Sequence, residues 1–132
     1  MTRYPDWQLR LEAFVREHNV KPFAWGSNDC AVFAADAVEA ITGEVLRPDL
    51  RGLDTRQTAV ALRDGGGVRG IASSALGAPI PAVVARIGDM VVVMVNDRES
   101  LAICNGGTAI AAGPDGLVAV PMSFALAAWR VG

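Results

Sequence analysis

The chain has 132 residues and a mass of 13.8 kDa, enough for one domain with a packed core and too little for a second. Hydrophobic residues are 52% of the total and charged residues 20%, yet no unbroken apolar run is longer than that from Met90 to Val95, which is far too short to cross a bilayer. A net charge of -2 with scattered Lys and Arg excludes the basic footprint of a nucleic-acid binder, and two cysteines, Cys30 and Cys104, without paired ligand spacing exclude a disulfide framework and a structural zinc site.

Met1 to Arg10 has no apolar stretch behind its basic residue, so no secretory signal is expected and synthesis is cytoplasmic. Asp6 is placed to cap a first helix whose Leu9, Leu11, Phe14 and Val15 share one broad face, ending near Asn19 before Lys21-Pro22. A loop through Trp25-Gly26 leads to Ser27, Asn28 and Asp29, all competent caps, and then to the apolar run Cys30 to Ala35. Cys30 therefore begins a buried central helix that runs to about Thr42, where Gly43 stops it. Arg47 to Asp54 reads as irregular, Thr55 to Asp64 as a helix ended by Gly65-Gly66-Gly67, and Ile71 to Leu76 as a short helix closed by Gly77, Pro79 and Pro81.

From Gly88-Asp89 the pattern changes to short strands: Met90 to Val95, Leu101 to Cys104, Thr108 to Ala112, Leu117 to Val120 and Ala128 to Val131. Asn105-Gly106 carries the strongest hairpin signal, because both residue types tolerate positive φ, and Pro114-Asp115-Gly116 marks another turn. Helices followed by antiparallel strands define an α+β fold, with a sheet or partial barrel packed on the helix that carries Cys30.

A cysteine in the first turn of a helix suits nucleophilic catalysis, since the dipole and free amides lower a thiol pKa and can hold an oxyanion; a buried cysteine is equally at home as inert core. The set Ala24-Trp25-Gly26, Asp29-Cys30, Gly88-Asp89-Met90-Val91-Val92 and Leu101-Ala102-Ile103 with Asn105-Gly106 resembles, in order and spacing, the NlpC/P60 cysteine peptidases of papain-like fold. Pro22-Phe23-Ala24-Trp25-Gly26 with Asp29-Cys30, and Ala128-Trp129-Arg130-Val131, are similar to the two ends of short proteins of tailed phages and gene-transfer agents. In related tail-tip modules an NlpC/P60 peptidase that opens the cell wall fills the corresponding slot.

The resemblance implies Cys30 as a vestigial nucleophile. It aligns Ser100 with the catalytic histidine and Ala112 with the third polar residue, so two of three roles are empty. His18, the only histidine, is expected in a solvated or capping role; Asp29 is a cap that would raise the thiol pKa, and Asp97 and Glu99 are expected as solvated turn residues. Strand periodicity puts Ser100, Ala102 and Cys104 on one face, taken to look toward Cys30, so that two reduced thiols fill the helix–sheet interface. Trp25 and Trp129 are expected as core anchors, and Trp7 as either core or ligand platform.

Three functions follow as expectations. The first is a non-catalytic structural or assembly component of a phage or phage-like tail, in the tip or baseplate region, made in the host cytoplasm, resident in the virion tail and partnered by hub and distal tail proteins. The second is a cysteine peptidase or amidase acting on host peptidoglycan through Cys30. The third is a small-molecule module using the relic cleft. No cofactor, metal, nucleic acid or membrane span is implied.

Overall fold

The computed structural model describes residues 1–132. Helix α1, Trp7–His18, turns Leu11, Phe14 and His18 inward at helical spacing; Leu9, expected on that face, is 68% exposed. Asp6 stands at its N-cap position, but its carboxylate accepts from Arg10 Nε at 2.8 Å and makes no capping bond.

Helix α2, Cys30–Thr42, is the hub of the core and ends on Gly43 in the left-handed conformation. Its Val32, Phe33, Ala34, Ala37, Val38 and Ile41 are at most 2% exposed, which explains its nearly uniform apolarity. After a 3₁₀ turn at Pro48–Leu50 come α3, Thr55–Asp64, closed by an Asp54–Gln57 capping box, and α4, Gly67–Leu76. α4 begins four residues before the expected Ile71, and the three glycines are a tight corner between two helices. Gly66 is left-handed, and a Cβ on Gly70 would collide with the carbonyl oxygen of Gly65, so only a glycine lets the two helices meet so closely.

Five antiparallel strands follow: β1, Met90–Val95; β2, Arg98–Cys104; β3, Thr108–Gly113; β4, Gly116–Pro121; and β5, Ala127–Trp129. Their spatial order is β4-β3-β2-β1-β5, so the last strand crosses to pair beside the first. The molecule is thus α+β, with the helices on one face of the sheet. The two-residue turn with positive φ at both positions lies at Asn96 (50°) and Asp97 (62°), joining β1 to β2. Asn105-Gly106, expected to mark a hairpin, does so between β2 and β3, in a three-residue loop through Gly107 in which Gly106 alone is left-handed.

Register fixes which side chains meet the helices. Met90 pairs with Ile103 and with Trp129, and all three join α2 in the larger core cluster. The next row, Val91 with Ala102 and Ala128, points the opposite way into a second cluster that also holds Val93, Cys104, Ala109 and Ala111. That outer face is roofed by Ile80, Ala85, Met122 and Ala125, from segments around 3₁₀ turns at Ala82–Val84 and Met122–Phe124.

Asp89 anchors the start of β1. Fully buried, it accepts from Arg3 Nη2 (3.1 Å) and the Val131 amide (3.0 Å) on Oδ1 and from the Arg86 amide (2.9 Å) on Oδ2. One carboxylate therefore ties together the N-terminal segment, the connection from α4 and the C-terminal segment. Trp129 is a core anchor as expected, 1% exposed with its indole N–H donating to Ser73 Oγ at 3.1 Å.

Candidate functional site

The Trp25–Cys30 loop is built around Asp29. Its Oδ1 accepts from the Val32 amide at 3.0 Å, capping α2, while Oδ2 accepts from the Gly26 amide at 2.8 Å and holds the loop closed. Gly26 is required here: at φ 76° its Cα lies so close to the Leu53 backbone that any Cβ would clash. Cys30 follows at the first position of the helix, with partial exposure.

Its sulfur meets the amide of Leu101 on β2 and the amides of Ala31 and of Cys30 itself. Desolvation outweighs these donors and, with the Asp29 charge adding to it, raises the thiol above its ordinary value. No side chain hydrogen-bonds that sulfur. His18 is occupied elsewhere: its Nδ1–H donates to the Phe14 carbonyl at 2.9 Å, leaving Nε2 facing the Lys21 ammonium at 3.5 Å, and its ring stacks on Phe14 at 4.0 Å. The expectation of a solvated His18 is corrected by this burial; the imidazole is an aromatic core residue, edge-on to Phe33.

The expected strand face is also corrected. The residues of β2 that point toward α2 are Leu101 and Ile103, whereas Ala102 and Cys104 point into the outer cluster. Ser100 pairs with Val93, whose side chain is on that outer side. The side chain turned toward the helix beside Cys30 is therefore Leu101. Both thiols are free, but Cys104 lies outside the helix–sheet interface, its Sγ contacting the Gly106 carbonyl at 3.7 Å. Burial raises this thiol too.

Two surface clefts enclose about 590 Å³ and about 570 Å³. The smaller lies beside the loop that precedes Cys30, with Phe23, Trp25, Val95, Arg98, Ser100 and Ala112 in its wall. Ser100 and Ala112, the two positions that the resemblance aligns with catalytic groups, thus come together; Cys30 does not line the cleft. Trp25 is corrected from core anchor to cleft wall, packed edge-on against Phe23 at 4.8 Å. Glu99, expected as a solvated turn residue, is held by both nitrogens of an Arg69 fork at 2.9 Å, while Asp97 is a turn residue. No group of three or more His, Cys, Asp or Glu is placed to hold a metal ion, and no helix is long and apolar enough to cross a membrane.

Fold and site together define an α+β protein with a desolvated cysteine at the head of its capped central helix and the Leu101 side chain on the strand that faces it. The chain belongs to the family described as a domain of unknown function (DUF6950), which it matches over residues 2–131. No curated protein matches it.

Proposed function

We propose that this protein is a non-catalytic structural or assembly component of a phage or phage-like tail, in the tip or baseplate region, built on a degenerate NlpC/P60-type cysteine-peptidase fold. The observation that carries the loss of catalysis is the apolar Leu101 beside Cys30, whose thiol is pushed upward by burial and faces no imidazole. A general acid–base partner contributes about 10² to 10⁴ in rate, and neither leucine nor the neighbouring Ser100 can take a thiol proton. The tail assignment rests on the resemblance carried by Pro22–Cys30 and Ala128–Val131. Hub and distal tail proteins are the partners in this reading, with the virion as final location.

Affinity-tagged protein expressed in its native host tests the assignment: hub or distal tail proteins should co-purify and the chain should be present in finished particles. Incubation with purified peptidoglycan is the opposing arm. Release of peptide fragments that disappears with Cys30→Ala would replace this reading with that of a cell-wall amidase.

A further inference from the structure

The cleft of about 590 Å³ shares no lining residue with the one beside Trp25 and has its own charge pattern. Arg3, Arg86 and Arg130 all line it, together with the Gly132 backbone, in a chain whose net charge is -2, and the acidic side chain that meets Arg3 and Arg130 is the buried Asp89. Each of the three Arg3 nitrogens makes a hydrogen bond: Nε donates to the Val131 carbonyl at 2.7 Å, Nη1 to the Ile87 carbonyl at 2.8 Å and Nη2 to Asp89 at 3.1 Å. Both Asp89 oxygens are occupied by Arg3 and by main-chain amides.

That leaves two guanidinium groups with donors to spare. Arg130 Nη1 is buried without a hydrogen-bond partner, 3.7 Å from Asp89 Oδ2, and the exposed Arg86 side chain has neither ion pair nor hydrogen bond. Leaving a buried donor unpaired costs about 1 to 3 kcal/mol, so an incoming acceptor would be favoured there. Crowding of the cations is felt by Arg3, whose pKa is lowered by burial and further by Arg86 and Arg130, against the opposing pull of Asp89.

The cleft's wall supplies a second element. Trp7 and Ile87 line it and also line an adjoining trough of about 320 Å³ that continues along α1 past Leu11 and Val15. Trp7 is held in place by the Arg3 guanidinium over its ring at 4.2 Å. We propose that this cleft binds an oxyanion, carboxylate or phosphate, between Arg86 and Arg130, with an apolar substituent of the same ligand lying over Trp7 and Ile87. Guanidinium forks match both oxyanions bidentately, and a preformed apolar wall beside them selects ligands that carry a hydrocarbon body. The site stands independently of the tail assignment.

Inorganic phosphate, acetate and hexanoate are the probes, added to the full chain while the Trp7 indole N–H and arginine Nε–H signals are followed by NMR. Phosphate and acetate should bind saturably with dissociation constants in the millimolar range, about 1 mM for the better of the two. Hexanoate should bind at least about tenfold more tightly than acetate, since each buried methylene contributes up to about 0.8 kcal/mol. Arg86→Ala, which removes an exposed side chain with no partner, should weaken all three probes at least about tenfold with an unchanged circular-dichroism spectrum, and Arg130→Gln should do likewise. Trp7→Ala should abolish the advantage of hexanoate and spare phosphate. The proposal is overturned by non-saturating shifts, by equal affinities in wild type and Arg86→Ala, or by hexanoate binding no better than acetate. It is overturned equally if the main-chain carboxylate of Gly132, on the rim of the cleft, holds Arg86 and Arg130 and excludes every probe.

Discussion

The backbone of Leu101 lies against the Cys30 sulfur while the Leu101 side chain packs into the core around α2. A strand that delivers an amide and a hydrocarbon to a thiol can steady it sterically and still gives it nothing to exchange a proton with.

Alkylation of Cys30 by iodoacetamide should accordingly be slower than that of free cysteine at neutral pH. Because the folded pKa is raised, the rate should climb only above the ordinary thiol value of 9.0. A plateau reached below neutrality would show a stabilised thiolate and would restore a nucleophile to this helix.

Ser100→His separates the alignment of motifs from the register of the sheet. Paired with Val93, residue 100 is out of phase with Leu101, so an imidazole there should leave the Cys30 alkylation profile unchanged and the protein without activity on peptidoglycan. A downward shift of the thiol profile in this variant would mean that β2 sits one residue out of register.

Asp89→Ala should be among the most damaging single changes. It strands the buried part of the Arg3 guanidinium and frees two main-chain amides at once, and breaking a buried pair of this kind costs about 3 to 5 kcal/mol. Urea titration should show a lower midpoint with an unaltered slope; a loss below about 1 kcal/mol would contradict the anchoring role.

Gly70→Ala tests the corner between α3 and α4. In an ordinary helix interior this exchange gains about 1 kcal/mol, but here the new Cβ meets the Gly65 carbonyl, so the melting temperature should fall. A rise would show that the corner has slack.

The Arg69–Glu99 pair predicts a small pH dependence. Hydrogen bonding from Arg69 lowers the Glu99 pKa below its ordinary 4.5, so its stabilisation is complete above that value and disappears as pH falls through the lowered one. Both side chains are largely exposed, so Glu99→Gln should cost less than about 1 kcal/mol at neutral pH and flatten the acid limb of the stability curve. A larger loss at neutral pH would place the pair in a role beyond a surface bridge.

What the sequence made legible was local. Asp29 as a cap, Cys30 as the first helical residue and Gly43 as the stop are each written in three or four adjacent residues, and the structure has all of them. Strand order of appearance was equally plain from the turn residues. The face of β2 was not, because alternation reveals which residues share a side and leaves open which side meets the helices. Usually polar residues mark the outside, yet Leu101, Ala102, Ile103 and Cys104 are all buried. Asn105-Gly106 marked the β2–β3 hairpin correctly, whereas the turn at Asn96-Asp97, which reads only as a break between strands, has the same tolerance of positive φ and is revealed as a two-residue hairpin by pairing alone. Asp89 looked like part of a strand-opening motif, and its role depends on Arg3 and Val131, some 86 and 42 residues away in the chain.

Burial on both sides of the central strands sets how this protein can change over evolutionary time. A half-exposed strand accepts polar replacements at every second position, and a map of tolerated variation through it looks striped. Through Met90–Val93 and Leu101–Cys104 the map should be a solid block of intolerance, while β4, whose Ala119 and Pro121 face solvent, keeps its stripes. Drift should therefore be channelled to the rim of the sheet and to the outward surfaces of α1 and α3, where substitutions leave the scaffold undisturbed.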